Sequence, residues 1–438
     1  MTPLLRLARR VMQAERFGYA ALQSVLFQVT VLVLNLATGV ITARALGPEG
    51  RGLYAAVSLW PTVIGTAAVA GVADGALIQL RRTPEAASIC AATAAVATGV
   101  LATVLLAIAW WAMPRLLGVG HVQHVLLARY ALVFAYVTAF GSLSRHLLTG
   151  LGLFSISNLA FVLPPLLHLL MLCGLWGLGR LTVPTTLASA ILAGVLAAAA
   201  TYPRLHLRLR AGSARLRQAW RQLLSYARRA AWADWLTLAV NWSDRIVLVP
   251  LLTPRDLGQY VVAYSASRGL AVATPPSRLL LSALAAGDLE AAKRLHDLTL
   301  RLSVATLVGL LCAVVWLSPF AVRFVYGSEF APAVPILNLL ACQFALNRLA
   351  QISAQLFAAA NRPGFISLAR AMDVVLSVAL MTVWAPLYGA RGGAMALLLG
   401  TTLRLTASWV GIVAYLRLPF PRLWLRPSDL VDLRRLLH

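Results

Sequence analysis

The sequence predicts an all-α polytopic membrane protein with about twelve transmembrane helices in two six-helix lobes. Three observations support this fold class. The 438 residues are 60% hydrophobic and only 12% charged, a composition far from that of a soluble domain. Apolar segments long enough to cross a bilayer recur along the whole chain. A short turn sequence from the first half recurs in the second half, which indicates a tandem repeat.

The apolar segments divide the chain into predicted spans, because about 20 apolar residues are enough to cross the hydrocarbon core. The spans cover residues 18–43, 53–79, 86–113, 122–148, 155–178, 184–203, 230–252, 258–280, 299–320, 333–360, 364–386 and 391–416. Six of them precede and six follow the longest polar stretch. The expected regions are a basic cytoplasmic N-terminus at 1–17, an N-terminal lobe at 18–203, a basic cytoplasmic linker at 204–229, a C-terminal lobe at 230–416 and a cytoplasmic amphipathic tail at 417–438.

The formal net charge of +24 comes almost entirely from arginine, because Lys293 is the only lysine. A chain this basic suggests nucleic-acid binding, but its arginines lie between apolar runs rather than along one soluble face. They concentrate in alternate connecting segments, as the positive-inside rule requires of cytoplasmic loops. We therefore expect both termini in the cytoplasm and no nucleic-acid partner, with the linker arginines against anionic membrane lipids.

The repeated turn reads ARALGPEGRGLY at residues 43–54 and VPLLTPRDLGQY at residues 249–260. Leu46, Pro48, Gly52 and Tyr54 of the first copy recur as Leu252, Pro254, Gly258 and Tyr260 of the second. Each copy follows the first span of a six-span half, so both halves enter the membrane in the same direction. We expect each copy to be a short turn on the outer side, in which proline restricts the backbone, glycine lets it bend and tyrosine anchors at the interface.

Four stretches carry a resemblance to a known family: TARALGPEGRGLYAAVSLWP, VNWSDRIVLVPLLTPRDLGQYVVAYSASRGL, FVYGSEFAPAVPILNLLA and LYGARGGAMALLLGT. They resemble the Wzx-type polysaccharide-repeat flippases of the multidrug/oligosaccharidyl-lipid/polysaccharide (MOP) superfamily. The likeness runs from about residue 17 to 416, nearly the whole chain. It implies a MATE-like, V-shaped transporter in the bacterial inner membrane. Such a transporter carries lipid-linked oligosaccharide to the outer leaflet for exopolysaccharide, capsule or O-antigen synthesis, with polysaccharide assembly proteins as candidate partners.

Ionisable side chains at membrane depth cost about 2.5–3.5 kcal/mol each on insertion scales, so they should face a cavity or a partner. The candidate residues of a substrate cavity are Arg145, Asn241, Arg245, Arg268, Arg348, Gln351 and Arg404. Most of them are arginines, whose guanidinium groups bind phosphate oxygens in a planar, bidentate way and stay charged. A cationic cavity of this kind suits an anionic head group such as a polyprenyl pyrophosphate.

Four acids at the same depth are candidates for coupling to H+ or Na+: Asp74, Asp234, Asp244 and Asp373. The alternative is that each is a structural counter-ion, as adjacency to Arg245 indicates for Asp244. Asp234 shares a helical stripe with Arg245 but lies eleven residues, about 16 Å, away from it along a helix. Asp234 therefore needs another partner or must take up a proton, and we expect Asp234→Asn to weaken the dependence of transport on a proton gradient.

Two other classes of function remain open. A multidrug exporter of the same superfamily would be expected to line its cavity with acids and aromatic side chains for cationic drugs, and the arginine excess argues against it. A membrane enzyme acting on glycans would need a sizeable outside loop or a cluster of His, Asp and Glu near the surface, whereas the predicted outside loops are short. No nucleotide-binding motif is visible, and His121 and His124 lack a third metal ligand. We expect a non-enzymatic protein without cofactor or metal.

Overall fold

A computed structural model describes the chain over residues 3–83, 86–206, 216–269, 289–360, 362–421 and 423–424. Within these ranges the regular elements are α-helices and short 3-10 helices, and no strand occurs in them. The α-helices are α1 (Pro3–Ala68), α2 (Val72–Arg82), α3 (Ala87–Leu117), α4 (Val125–Ala131), α5 (Phe134–Gly150), α6 (Phe154–Gly177), α7 (Val183–His206), α8 (Leu216–Leu251), α9 (Pro254–Ser267), α10 (Leu289–Val325), α11 (Ala333–Ala359) and α12 (Pro363–Ala414).

The two longest helices are each broken by one glycine. Helix α1 has 66 residues and would be about 100 Å long if straight, more than three times the hydrocarbon core. Gly47 breaks it at φ 67° and ψ −178°, and Gly389 breaks α12 at φ 60° and ψ −144°. Both backbone conformations favour glycine. The first predicted turn is therefore a kink at a single residue. Helix α12 contains nearly all of the last two predicted spans, whereas α1 contains the first predicted span and residues 53–68 of the second, which continues into α2.

The described helices have the length and composition of membrane spans. Seven helical stretches qualify, and an eighth does if the bent pair 120–131 and 134–150 is one span. The stretches Leu26–Arg82 and Gly364–Ala414 each contain one of the glycine kinks. Helix α8 is more polar, and α9 has only 14 residues. The chain is thus an all-α, multi-pass membrane protein, as the sequence predicts.

Large apolar side chains remain exposed on these helices. Trp111 is 82% exposed, Trp316 75% and Phe324 81%. Such an apolar surface would be a liability in water, but it is expected on helices that face lipid.

The chain divides into two compact units. Unit 1 comprises Met1–Leu46, Val57–Leu116 and Gln123–Ala239. In its described part, α2 packs on α5, and α5 packs on α6 and α7. The core is rich in alanine, including Ala73, Ala76, Ala94 and Ala139, which lets helix backbones approach closely. The division from the other unit falls after Ala239, inside the seventh predicted span.

Unit 2 comprises Gly47–Ala56, Leu117–Val122 and Val240–His438. Its described part is organised around α11, which packs against α9, α10 and α12. Leu300 and Leu307 of α10 meet Leu349 of α11 and Leu405 of α12 in one apolar core. This arrangement fixes the faces of α11 and α12 that carry polar side chains.

Candidate functional site

The first polar site in unit 2 is a network of charged and amide side chains between α11 and α12. Arg404 Nη1 lies 2.9 Å from Asp373 Oδ2, and Arg404 Nη2 donates to Asn347 Oδ1 at 2.6 Å. The Arg404 and Asp373 side chains are only 10% and 12% exposed. On the same face of α11, Arg348 Nη1 donates to Gln351 Oε1 at 3.0 Å. We call these five residues the arginine–amide network.

Glycine makes this network possible, because it brings the two halves of α12 together. A Cβ atom at Gly400 would lie 2.7 Å from Asp373 Oδ1 and would also collide with Ser377 Oγ. Ser377 Oγ itself lies 3.3 Å from Asp373 Oδ1 and donates to it. The bare backbone at Gly400 therefore leaves room for the carboxylate that pairs with Arg404.

The second polar site combines arginine with aromatic rings. The Arg245 guanidinium lies 4.8 Å from the ring centroid of Trp242 and 4.2 Å from that of Tyr264. Arg268 approaches the same Tyr264 ring at 6.0 Å. Cation–π contacts of this kind hold a guanidinium without neutralising its charge. We call Trp242, Asp244, Arg245, Tyr260, Tyr264 and Arg268 the arginine–aromatic cluster.

Asp244 is the acid of the arginine–aromatic cluster, and it is 5% exposed. Tyr260 donates its hydroxyl hydrogen to Asp244 Oδ2 at 2.9 Å, and Arg245 Nε lies 3.9 Å from the same oxygen. A buried carboxylate with both a hydroxyl donor and a cation is well satisfied. These contacts favour the counter-ion interpretation of Asp244 over ion coupling.

Helix α11 contacts the arginine–aromatic cluster and carries part of the arginine–amide network. Phe344 meets Tyr264 edge-on, with ring centroids 5.6 Å apart and ring planes at 64°. Arg348 follows Phe344 by four residues on the same face of α11, a rise of about 6 Å. The arginine–aromatic cluster and the arginine–amide network are therefore one helical turn apart along α11.

Unit 1 holds the remaining candidates in separate places. The Arg145 guanidinium lies 5.1 Å from the ring centroid of Phe161. His146 Nε2 lies 3.7 Å from Asp74 Oδ1, and the Asp74 side chain is half exposed. Arg145 thus contacts an aromatic ring, and Asp74 contacts an imidazole. Among the residues that the structure describes, unit 1 has no counterpart of the arginine–amide network.

Asp234 has a backbone partner. The Gly71 N–H donates to Asp234 Oδ2 at 2.7 Å, and the neighbouring Trp235 Nε1 donates to Ala67 O at 3.3 Å. Gly71 is the N-cap of α2, with φ 68°, so the carboxylate lies at the positive end of that helix. The partner of the Asp234 carboxylate, which the sequence alone did not identify, is therefore a backbone N–H at the break between α1 and α2.

A family model described as polysaccharide biosynthesis protein matches residues 21–273, more than half of the chain. The chain belongs to the polysaccharide biosynthesis protein family. No curated protein matches it.

Solved structures similar to this family member include a lipid II flippase and transporters of the MOP superfamily. A lipid II flippase, MurJ, in an inward closed conformation is 14% identical, with a TM-score of 0.70 over 88% of this chain and 87% of that chain. An inward-facing MATE multidrug resistance transporter is 16% identical, with a TM-score of 0.68 over 88% and 93%. A MOP superfamily transporter from Pyrococcus furiosus is 15% identical, with a TM-score of 0.53 over 88% and 92%. These likenesses show the fold alone, and they confirm the predicted all-α polytopic fold.

The structure groups some of the predicted site residues of this family member and separates others. It brings together Arg348, Gln351, Arg404 and Asp373 in one network, and Asp244, Arg245 and Arg268 in one cluster. The predicted stripe on α8 is divided, because Asp234 belongs to unit 1, whereas Asn241 and Arg245 belong to unit 2. The Asn241 side chain is exposed.

Asn347 is a network residue that the sequence analysis missed. It lies four residues before Gln351 and next to Arg348, so its helical spacing with Gln351 was a usable signal. For a metal ion, the described residues contain no group of three or more His, Cys, Asp or Glu side chains that could hold one.

Proposed function

We propose that this polysaccharide biosynthesis protein is a flippase for polyprenyl-pyrophosphate-linked oligosaccharide. It moves the repeat unit from the inner to the outer leaflet of the bacterial cytoplasmic membrane for exopolysaccharide, capsule or O-antigen synthesis. The observation that carries the proposal is the excess of cations in the polar sites of unit 2. Four arginines, Arg245, Arg268, Arg348 and Arg404, accompany two acids, Asp244 and Asp373.

The excess charge matches the chemistry of the proposed cargo. The two acids have partners within their own sites, and four arginines beside two acids give these sites a net positive charge that suits the phosphate oxygens of a pyrophosphate. The amides of Asn347 and Gln351 and the aromatic rings around Arg245 supply hydrogen bonds and stacking surfaces for sugar. With a negative-inside potential, each negative charge moved outward gains about 2.3 kcal/mol per 100 mV. Transport of an anion therefore has a driving force without a nucleotide.

The similar structures represent two functions, lipid flipping and multidrug transport. The MurJ neighbour is a lipid II flippase, and the MATE neighbour is a multidrug resistance transporter. The Pyrococcus furiosus transporter is described as having a binding pocket of reversed polarity that suggests a different function. Multidrug export remains the second candidate because the fold is shared. In this chain, however, the buried acids that a cationic drug would need are paired with arginine.

The proposal includes an orientation in the membrane. Lobes at 18–203 and 230–416 would be joined by the arginine-rich linker at 204–229 on the cytoplasmic face, with both termini on that side. The linker arginines would contact anionic lipid heads. A reporter fused after Ser213 would then be cytoplasmic, and one inserted near Arg255 would be periplasmic. A periplasmic reporter at Ser213 would contradict this orientation.

Deletion of the gene tests the function directly. We expect lipid-linked oligosaccharide to accumulate on the cytoplasmic face, where a membrane-impermeant glycan-modifying enzyme cannot reach it from outside. Accumulation on the periplasmic face would contradict the proposal and would point to a later step, such as polymerisation. A wild-type copy of the chain should restore export.

Arginine variants test the proposed site. Arg245→Gln, Arg348→Gln and Arg404→Gln should each reduce export of polysaccharide, because each removes a cation from the two polar sites. Arg228→Gln and Arg229→Gln are matched controls, because both side chains are exposed on the first half of α8. If all five variants export equally at equal protein levels, the arginines of unit 2 are structural.

Ion coupling is a separate part of the proposal. Asp74 is the strongest of the four candidate acids, because its carboxylate is half exposed and lies 3.7 Å from the His146 imidazole rather than against an arginine. Proteoliposome flux under an imposed pH gradient compares Asp74→Asn with Asp234→Asn. Loss of the gradient dependence in Asp74→Asn alone supports coupling at Asp74. Loss in Asp234→Asn alone would restore the sequence-based assignment, and no loss in either would remove both acids from coupling.

A further inference from the structure

A pocket in unit 2 lies between α11 and the two halves of α12, and it is distinct from the arginine–aromatic cluster. The space between its lining residues is about 300 Å³, which includes space open to solvent. Arg370, Arg404, Gln351 and Ser408 form its polar lining. Phe357 and Phe365 form an aromatic wall on another side. The pocket therefore has one cationic part and one apolar part.

The cationic part contains more positive charge than the surrounding acids neutralise. Arg404 pairs with Asp373, as described above. Arg370 is exposed and has no ion pair or hydrogen bond with any residue that the structure describes. A third guanidinium group, that of Arg348, donates a hydrogen bond to the lining residue Gln351. An anion with several oxygens fits this part of the pocket.

The apolar part is built from a stacked pair of rings. The Phe357 and Phe365 ring centroids are 4.4 Å apart, with ring planes at 12°. The rings lie against the bare backbone of Gly411, where a Cβ atom would come within 3.0 Å of Phe357 Cζ and would also crowd Phe365. The rest of the lining is apolar and consists of Ile366 and three alanines, Ala350, Ala354 and Ala369. Phe357 is itself only 1% exposed, so the apolar surface beside the arginines is formed by the partly exposed Phe365, Ile366 and Ala354.

We propose that this pocket binds the phosphate end of a lipid whose hydrocarbon chain begins at the Phe357–Phe365 wall. Arg370 and Arg404 hold the phosphate oxygens, and the first carbons of the chain contact the stacked rings. A phosphate joined to a long hydrocarbon chain occurs in a polyprenyl phosphate carrier and in an anionic phospholipid. The assignment to the carrier rests on the proposed function, because a flippase must hold the pyrophosphate end of its cargo.

Native mass spectrometry of the purified full-length protein tests the pocket. The protein in detergent is titrated separately with polyprenyl phosphate, phosphatidylglycerol and inorganic phosphate. We expect polyprenyl phosphate to bind to wild-type protein, and Arg370→Gln to weaken this binding at least about tenfold, because a charge-assisted contact is lost. Arg391→Gln is the matched control, since Arg391 is an exposed arginine on the same helix outside the pocket. It should bind like wild type.

A second variant tests the apolar wall. Phe365→Leu should weaken binding of the lipid but not of inorganic phosphate, and its melting temperature shows whether the fold is kept. Arg370-dependent binding of polyprenyl phosphate alone assigns the pocket to the carrier. Equal Arg370-dependent binding of phosphatidylglycerol assigns it to phospholipid. Equal binding to wild type and Arg370→Gln, no lipid binding, or tighter binding of inorganic phosphate than of either lipid would overturn the proposal.

The binding result is independent of the transport result. A protein that binds polyprenyl phosphate through Arg370 but leaves oligosaccharide correctly distributed after deletion keeps its pocket and loses the proposed function. A protein that accumulates oligosaccharide on the cytoplasmic face but binds no lipid through Arg370 keeps the function and loses the pocket.

Discussion

Residues 47–54 of the first copy of the repeated turn and the whole of the second copy lie in unit 2, where they pack against each other through equivalent residues. A Cβ atom at Gly52 would collide with the carbonyl oxygen of Pro254, and one at Gly258 would collide with the carbonyl oxygen of Pro48. Each glycine of one copy thus faces the proline of the other, the reciprocal pattern of an isologous contact. The chain makes the turn twice because each copy is the surface on which the other packs.

The copies differ at the positions between these contacts. Arg51 of the first copy corresponds to Leu257 of the second, which is fully buried. The Arg51 guanidinium lies 5.5 Å from the ring centroid of Tyr54, whereas the equivalent Tyr260 donates a hydrogen bond to Asp244. The shared proline and glycine therefore maintain the backbone contact. The divergent position holds an arginine in one copy and a buried leucine in the other, and the shared tyrosine has a different partner in each copy.

Exchange of the divergent residues should give the largest effect. Leu257→Arg places a charge at a fully buried position, which should lower the free energy of unfolding by about 3–5 kcal/mol. The reverse change, Arg51→Leu, should leave stability unchanged or slightly raised, because Arg51 Nε is buried and makes no hydrogen bond within the described residues. Melting temperatures of the purified proteins in detergent measure both. Equal losses would mean that the two copies have the same environment after all.

Removal of the glycine contact should have the next largest effect, and it should be the same in both copies. Gly52→Ala and Gly258→Ala each force two backbones apart, at a cost of about 3 kcal/mol, although alanine normally favours a helix. Thermal melting and export at equal protein levels measure the loss.

Gly39→Ala and Gly141→Ala are the matched controls for this contact. Both glycines lie in helices, and no neighbouring atom lies within 4 Å of the position that an alanine Cβ would occupy. We expect these variants to be neutral or more stable by up to about 1 kcal/mol. A melting temperature of Gly258→Ala equal to that of Gly39→Ala would show that the two turns do not pack as described.

The tyrosines should separate the copies at a smaller magnitude. Tyr260→Phe removes the hydroxyl that donates to the buried Asp244 and should cost about 1.5–2 kcal/mol. Tyr54→Phe keeps the ring that Arg51 contacts and should cost less than about 0.5 kcal/mol. The difference between the two melting temperatures is the measurement. A larger loss in Tyr54→Phe would reverse the roles assigned to the two rings.

Local patterns in the sequence predicted the features that depend on one helix. The spacing of Arg348 and Gln351 placed both on one face of α11, where they form a hydrogen bond. The glycine-containing turns marked the kink at Gly47 and the start of α9. Apolar run length predicted the membrane fold, because the bilayer imposes nearly the same length on every span.

Pairings between distant helices could not be predicted in this way. Asp234 and Gly71 are 163 positions apart, and their contact depends on how α8 packs on the break between α1 and α2. Arg404 finds Asp373 only because Gly400 lets the two halves of α12 approach. Helical periodicity gives the face on which a side chain lies but not the helix that packs against that face. The partners of Asp234 and Asp373 therefore needed the structure, whereas adjacency in the sequence already indicated Arg245 for Asp244.

The smallest effect is expected at the helix cap that only the second copy has. Thr253 is the N-cap of α9: its Oγ1 accepts a hydrogen bond from the Asp256 N–H at 3.2 Å and donates to Asp256 Oδ2 at 3.0 Å. The equivalent of Thr253 in the first copy is Gly47, which has no side chain to make a cap and relies on its left-handed φ. Thr253→Ala should therefore cost about 1 kcal/mol, whereas Thr253→Ser should keep the cap and cost less. Melting temperatures measure both, and the glycine–proline contact should survive, so export should stay near the wild-type level. A loss in Thr253→Ala as large as that in Gly258→Ala would mean that the cap, rather than the backbone contact, holds the second turn in place.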